Sequence, residues 1–522
     1  MTYLGAFGIP NGGCGNDRCT GNFGGTALAF DPAGNGGRGS LWFAALNSKA
    51  DPSHSYQTPS VAEISVENDL VNGLIDPTDA ALSQMPTAKL VQPFGDVFAG
   101  RSNEVSPAST NWIGGLAVAM YQGVPRLIGT IYNSFGVAST GKSHFILTKS
   151  TTAPAVITGP FEVNGTGVSP TACGGGRDCP DGWVAGSTTA IPAAYQTALG
   201  GDVLSGACCM SLIGRTSLGP TATRWRLADA AIAPVIARRL VAYPSNHPTL
   251  GQWITNGESG GTGQFTSQND FSRFVWPQEY RSLLFFYRLG NPHLNCYGSP
   301  VAGDADGDPV MNATGEQQFQ GVDASTDATG TVITLPNVNV ASIGIGGPLG
   351  YLWLSSQSSP AFRYGGRNYQ GLARLVSTAN SGTPTASVTV AAANAFPPNL
   401  TAQPYRVAAP ACYDPAEHGN ASPDNLPKGG HTPTAYPYTV LVYGYDANDL
   451  AAVNAGTKQP WDLLPYATWP LPLPVNYPGG KYATNRIGAV AIDQAGRKIY
   501  VTQVFAGANG ATIVLVYQIA PS

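Results

Sequence analysis

Several groups of residues have the types and spacings that chemistry needs. Gly136-Val-Ala-Ser-Thr-Gly141-Lys142-Ser143 fits the phosphate-loop pattern G-x-x-x-x-G-K-[ST]. That loop works only where a helix begins at the Lys, so that backbone N–H groups and the helix dipole meet phosphate. Here a strand-like run, His144-Phe-Ile-Leu-Thr148, follows, and then Thr151-Thr-Ala-Pro154, which cannot extend a helix. The segment reads as a hairpin turn and ATP binding is rejected. Gly257-Glu-Ser259-Gly-Gly261 fits the nucleophile elbow, a strained turn between a buried strand and a helix. Its setting, Asn256 to Gln264, is Gly-rich and polar, so it reads as a loop. Asp304-Ala-Asp306-Gly-Asp308 sets three carboxylates at alternate positions, as calcium loops do. Pro309 and Gly315 stand where an EF-hand needs Gly and Glu, which leaves a looser Ca²⁺ site of carboxylates and carbonyls beside the default of a solvated acidic turn.

Eight cysteines include two local pairs, Cys14/Cys19 and Cys173/Cys179, each across a Gly-rich loop that has no hydrophobic pattern to bury. A short disulfide is the natural staple for such loops, and it implies an oxidising compartment. Free buried thiols are the alternative. Zinc knuckles would need tighter pairs or added His ligands, and no His lies within ten residues of either pair. His54, His144, His247, His293, His418 and His431 show no ligand spacing and read as surface or hydrogen-bonding residues.

What must position these residues is a β-protein. Of 522 residues only 11% are charged, the net charge is −4 and the pI is about 5.9, so the basic stripe that nucleic-acid binding requires is missing. No apolar run reaches the ~18–20 residues of a membrane span. The start, Met1 to Phe7, has no signal-peptide pattern. Strand signals dominate: Leu41–Ala45, Val61–Val66, Arg126–Tyr132, His144–Thr148, Arg281–Tyr287, Thr439–Tyr445, Lys498–Gln503 and Thr512–Tyr517, each bounded by Gly, Pro, Asn or Asp. Helical pattern is confined to Ile191–Gly200, Asp449–Gly456 and a run from Leu227 to Leu240 that Pro234 interrupts; all three read as surface connections.

A repeat organises the strands. Ala27-Leu-Ala-Phe-Asp-Pro-Ala-Gly34 matches Ala489-Val-Ala-Ile-Asp-Gln-Ala-Gly496, with a looser copy at Gly114–Gly123. Small residues, a turn, then an aromatic-rich strand suit the inner hairpin of a propeller blade, because side chains crowd around the axis. Phasing on this pattern starts inner strands near 25, 114, 182, 271 and 488, which favours an all-β propeller of five blades, with six or seven as alternatives. The last blade has three strands, so Tyr3–Phe7 is expected to supply its fourth and remove the exposed edge.

The chain resembles a family of bacterial β-propeller proteins of no assigned activity. The resemblance rests on Gly24–Asp31, Val61–Ser65, Tyr195–Gly201, Arg215–Pro220, Leu284–Phe286, Cys296–Gly298, Tyr436–Tyr438 and Tyr445–Ala447, and spans nearly the whole chain. It implies a fold and no activity. In the family pattern the Cys296 and Cys412–Pro415 regions lie close together, which implies an insertion between them here and a Cys296–Cys412 disulfide closing its base. The expected organisation is therefore propeller over 1–299, an inserted β-rich subdomain over 300–405, and propeller again over 406–522. The insertion begins acidic and is aromatic in its middle, where Tyr351 and Trp353 are the candidate binding residues.

The expected function is a non-enzymatic binding or structural module outside the cell, such as a phage tail or capsid surface protein. Its partners would be protein neighbours in an assembly, or a surface glycan or receptor. The alternatives are a carbohydrate-active, glycosidase-like propeller, or a propeller lactonase or sugar dehydrogenase. Few carboxylates stand at the expected inner-strand starts; Asp31 and Asp493 fall in turn positions where Asp is common.

Overall fold

Five sheets, each built on four antiparallel strands, are the blades of a closed β-propeller; the short strand Cys19–Thr20 adds to the first and the parallel strand Val235–Ile236 to the second. The computed structural model describes residues 1–10, 27–47, 58–73, 82–99, 101–105, 111–133, 142–152, 155–164, 184–206, 220–232, 234–242, 273–289, 439–460, 463, 465–473, 487–504, 506–507 and 511–521, with short strands at 19–20, 246–247, 251–252 and between 332 and 388. Inner strands are Leu28–Asp31, Asn111–Tyr121, Thr188–Ala190, Arg273–Val275 and Ile487–Asp493. The expected inner-strand starts fall within three residues of the observed ones in four blades and six residues early in blade 3.

The blades follow one plan. In blade 1 the inner strand pairs with Ser40–Asn47, then Thr58–Ser65, then Leu90–Gly95. Blade 2 adds Val124–Asn133, Lys142–Leu147 and Val156–Asn164 to its inner strand. Blade 3 uses Val203–Ser205, Ala222–Trp225 and Arg238–Val241. Blade 4 pairs Ser282–Leu289 directly with Thr439–Asp446 and ends at Ala467–Pro470, although some 150 residues of chain intervene. The strands Val332–Thr334, Thr385–Val388, Leu372–Val376 and Leu349–Trp353 lie within that interruption and form a small sheet of their own, in that order.

Blade 5 consists of Ile487–Asp493, Lys498–Gln503 and Ile513–Gln518, and its outer strand is the N-terminal Thr2–Gly8. Tyr3 pairs with Tyr517 and Phe7 with Val514. The terminus thus closes the ring as the three-stranded last blade requires.

Strand alternation explains why the ring coheres. Odd and even residues of a strand point to opposite sheet faces, so each blade presents apolar side chains to both neighbours. Along Lys498–Gln503, Ile499 and Val501 pack toward blade 4 while Tyr500 packs toward blade 1. Among the described residues each interface between adjacent blades holds a large buried cluster.

The helices dock more firmly than surface connections need to. The helix Ala447–Ala455 starts at Asp446, whose carboxylate caps the Asn448 N–H, and stops at Gly456 with φ +80°, a conformation glycine adopts without steric cost. Its Ala447, Leu450 and Val453 are buried between blades 3 and 4. The helix Ala193–Leu199 ends likewise at Gly200. Over 227–240 only a 3₁₀ turn, Leu227–Ala231, forms before the chain turns to strand at Arg238–Val241, in keeping with the block that Pro234 places on a helix. Among the described residues no helix is long and apolar enough to cross a membrane.

Candidate functional site

The inner strands converge on the propeller axis, and a cavity of about 570 Å³ opens there. It takes its walls from all five blades. Blade 1 gives Leu28, Ala29 and Phe30; blade 5 gives Val490, Ala491 and Ile492. Blade 2 gives the stretch from Leu116 to Met120, and blade 3 gives Thr188 to Ala190, with Pro192 and Gln196 of the adjoining helix region. In blades 2, 4 and 5 the lining residues come from the C-terminal halves of the inner strands, and Pro32, Ile191 to Ala193 and Gln494 follow inner strands, so the mouth lies on the face where those strands end.

Glycine lets blades 2 and 3 come together beside this cavity. A Cβ on Gly114 would stand 1.8 Å from the Ala185 carbonyl oxygen, and one on Gly115 2.1 Å from that of Gly186. Both obstructions are backbone, which cannot swing away. Thr130 Oγ1 donates to the same Gly186 carbonyl at 2.7 Å and holds the approach.

Polar groups gather at the mouth. Asp202 is half-buried; its Oδ1 accepts the Leu227 N–H at 2.8 Å, and burial raises its carboxyl above the usual range. Asp493 accepts the Gly496 N–H at 2.9 Å, the turn role expected of it. Gln494 ties blades 4 and 5, its amide donating to the Trp276 carbonyl and accepting from the Gln278 N–H. Among the described residues no Lys or Arg lines the cavity.

Asp31 does more than shape its turn. It accepts the Ala33 N–H at 3.1 Å and also pairs with Lys149 Nζ at 2.8 Å, a contact across the boundary of blades 1 and 2. Nearby, buried Glu63 accepts from Ser40 Oγ, from the Asn35 N–H and from Gln92 Nε2. Gln92 Oε1 in turn accepts the Thr151 N–H. These carboxylates are enclosed in a clasp between blades, outside the cavity lining.

His144 forms the corresponding clasp between blades 2 and 3. Trp225 Nε1–H donates to Ser205 Oγ at 3.0 Å, so the Ser205 hydroxyl proton can go to His144 Nε2 at 2.9 Å. Nδ1–H of the same ring then donates to Ser143 Oγ at 2.9 Å. The imidazole is fully buried against Phe161 and Trp225, and this desolvation pushes its pKa down to about 3. It stays neutral at all ordinary pH values. Of the two roles expected of the histidines, His144 has the hydrogen-bonding one, and its strand parity with Ile146 is the sequence signal for its burial.

The other expected site residues fare unevenly. Lys142 begins a strand where a phosphate loop needs a helix, and its Nζ pairs with Glu104; residues 134–141 lie outside the described residues. Tyr351 and Trp353 fall on Leu349–Trp353, paired with Leu372–Val376; their side chains lie outside the described residues. So do Asp304, Asp306, Asp308, the Ser259 loop and Cys14, Cys173, Cys179, Cys296 and Cys412. Cys19 lies on a short strand beside Asn47, its side chain likewise outside. No cluster of His, Cys, Asp or Glu able to hold a metal occurs among the described residues. The chain matches no family model and no curated protein.

Proposed function

We propose that this protein is a non-enzymatic binding module, presented outside the cell on an assembly such as a phage tail or capsid. The observation that carries the reading is the apolar lining of the axis. A glycosidase needs two carboxyl groups about 5–9.5 Å apart across the scissile bond. Here the inner strands bring Leu, Ala, Val and Ile to the axis, while Asp202 and Asp493 each spend an oxygen on backbone N–H groups at the rim.

The rest of the reading follows from what interrupts the repeat. The segment 300–405, with Tyr351 and Trp353, is the proposed contact with a neighbouring subunit, glycan or receptor. The pairs Cys14–Cys19, Cys173–Cys179 and Cys296–Cys412 are the proposed disulfides of a protein that works in an oxidising setting. A glycan array and a panel of aryl glycosides test the function directly. Retention of a glycan without turnover supports the reading; hydrolysis of any glycoside overturns it. Mass spectrometry of the unreduced, alkylated chain should find at least six cysteines unmodified, and eight alkylated thiols would remove the disulfides.

A further inference from the structure

We propose that the axial cavity binds a small amphipathic cation, an alkylammonium group on an apolar body. The proposal deepens the non-enzymatic reading above and rests on it. Three observations converge. First, the volume, about 570 Å³, lies within the roughly 300–1,000 Å³ of small-molecule sites, and its walls are predominantly Leu, Ala, Val and Ile. An apolar body is what such walls accept.

Second, the wall is extended on one side. The inner hairpin of blade 2 is the longest of the ring, Asn111–Tyr121 against Val124–Asn133. Met120 lines the cavity and is 59% exposed, and Val124 at the same tip is 43% exposed. A flexible thioether at a pocket mouth adapts to apolar ligands of varied shape.

Third, the charge at the mouth has one sign. Asp202 and Asp493 belong to the lining, which includes no basic side chain. Burial raises the Asp202 carboxyl above its usual range, by more than the backbone N–H groups of Leu227 and Asp202 itself, and Arg226, whose Nε donates to the Gly200 carbonyl, bring it down. A bound ammonium would restore the solvation that the Asp202 carboxylate has lost. An anionic ligand would meet two carboxylates and no basic side chain among the described lining residues, and like charge in a desolvated mouth selects against it.

Calorimetry on the full chain with n-octylammonium, n-butylammonium, n-octanol and n-octanoate separates these contributions. Octylammonium should bind one per chain, with octanoate at least about tenfold weaker. Shortening the tail to butyl should weaken binding roughly 200-fold, at about 0.8 kcal/mol per methylene. Ala190→Trp, at a half-exposed lining position, should fill the cavity and abolish binding while leaving the melting curve in place. Asp202→Asn should bring octylammonium down to the affinity of octanol, and it carries the test should the Trp variant unfold. Equal binding of octanoate, unchanged binding in either folded variant, or no octylammonium binding at millimolar concentration overturns the proposal. None of those results touches the non-enzymatic reading, which glycoside turnover alone decides.

Discussion

The two faces of the ring differ sharply in what the chain invests in them. At the face where inner strands end, several connections are short or helical: residues 122–123 in blade 2, 494–497 in blade 5, and the helices Ala193–Leu199 and Ala447–Ala455, while 66–89 of blade 1 is longer. At the opposite face, the segments joining second to third strands, and outer strands to the next inner strand, include 165–187, 206–221, 242–272 and 290–438. All eight cysteines, the Gly136 and Ser259 motifs and Asp304, Asp306 and Asp308 belong to segments that begin and end at this second face. A propeller thereby separates two demands. One face holds the blades in register and frames the axial cavity; the other carries long segments between strands whose length the pairing of the blades does not fix.

The comparison breaks most severely if the closure of the ring is removed. Deleting residues 1–10 takes away the outer strand of blade 5 together with buried Ala6, Phe7 and Ile9. Each large apolar side chain contributes about 1.5–3 kcal/mol by its burial, and the edge of Ile513–Gln518 is left unpaired. The expected loss exceeds about 5 kcal/mol and should appear in urea melts as one cooperative shift. An unchanged midpoint would mean that the terminal strand is dispensable.

Acid is the next lever, and it acts between blades 2 and 3. The folded His144 pKa is near 3, whereas the unfolded value is the ordinary 6.5. Between those values the unfolded chain binds the extra proton, so stability falls as pH drops, by up to about 1.4 kcal/mol per pH unit. Below pH 3 this contribution is exhausted. His144→Gln should flatten the slope between pH 6 and 4 relative to the parent protein. An equally steep slope in the variant would assign the acid sensitivity elsewhere.

A single methyl tests the close approach beside the cavity. Gly115→Ala forces the blade 2 inner strand away from the Gly186 carbonyl, and overpacking of this kind costs about 1–3 kcal/mol. The same change at Gly36, where a Cβ meets nothing within 4 Å, avoids that clash and pays only for its positive φ. If the Gly36 variant loses more than the Gly115 variant, the close approach is not limiting.

How much of this was legible in the sequence depends on what each element needs. The inner strands were legible because crowding at an axis forces Ala-x-Ala patterns such as Ala27-Leu-Ala29 and Ala489-Val-Ala491, and the terminal strand because a blade of three leaves one edge to pair. The Asp31–Lys149 and His144–Ser205 contacts were not, since each joins residues of different blades and depends on the angle at which blades meet. The cavity was illegible for the same reason. Its walls are read off individually as small or apolar residues, but their enclosure is a property of five strands at once.

The smallest expected effect is the most informative about the second face. Joining residue 299 to residue 406 shortens the connection between Ser282–Leu289 and Thr439–Asp446 from about 150 residues to about 40. The paired strands already fix both ends of that connection, with Leu289 opposite Thr439. Loop-closure entropy changes by only about 0.6 kcal/mol per doubling of length, so the shortened chain should gain roughly 1 kcal/mol. Urea melts should therefore show a midpoint equal to or slightly above that of the full chain, with a smaller m value if the small sheet unfolds with the ring. Glycan or receptor binding should disappear in the same protein while octylammonium binding at the axis persists. A large loss of stability would show that the segment 300–405 supports the blades, and the division of labour between the two faces would then fail at its largest element.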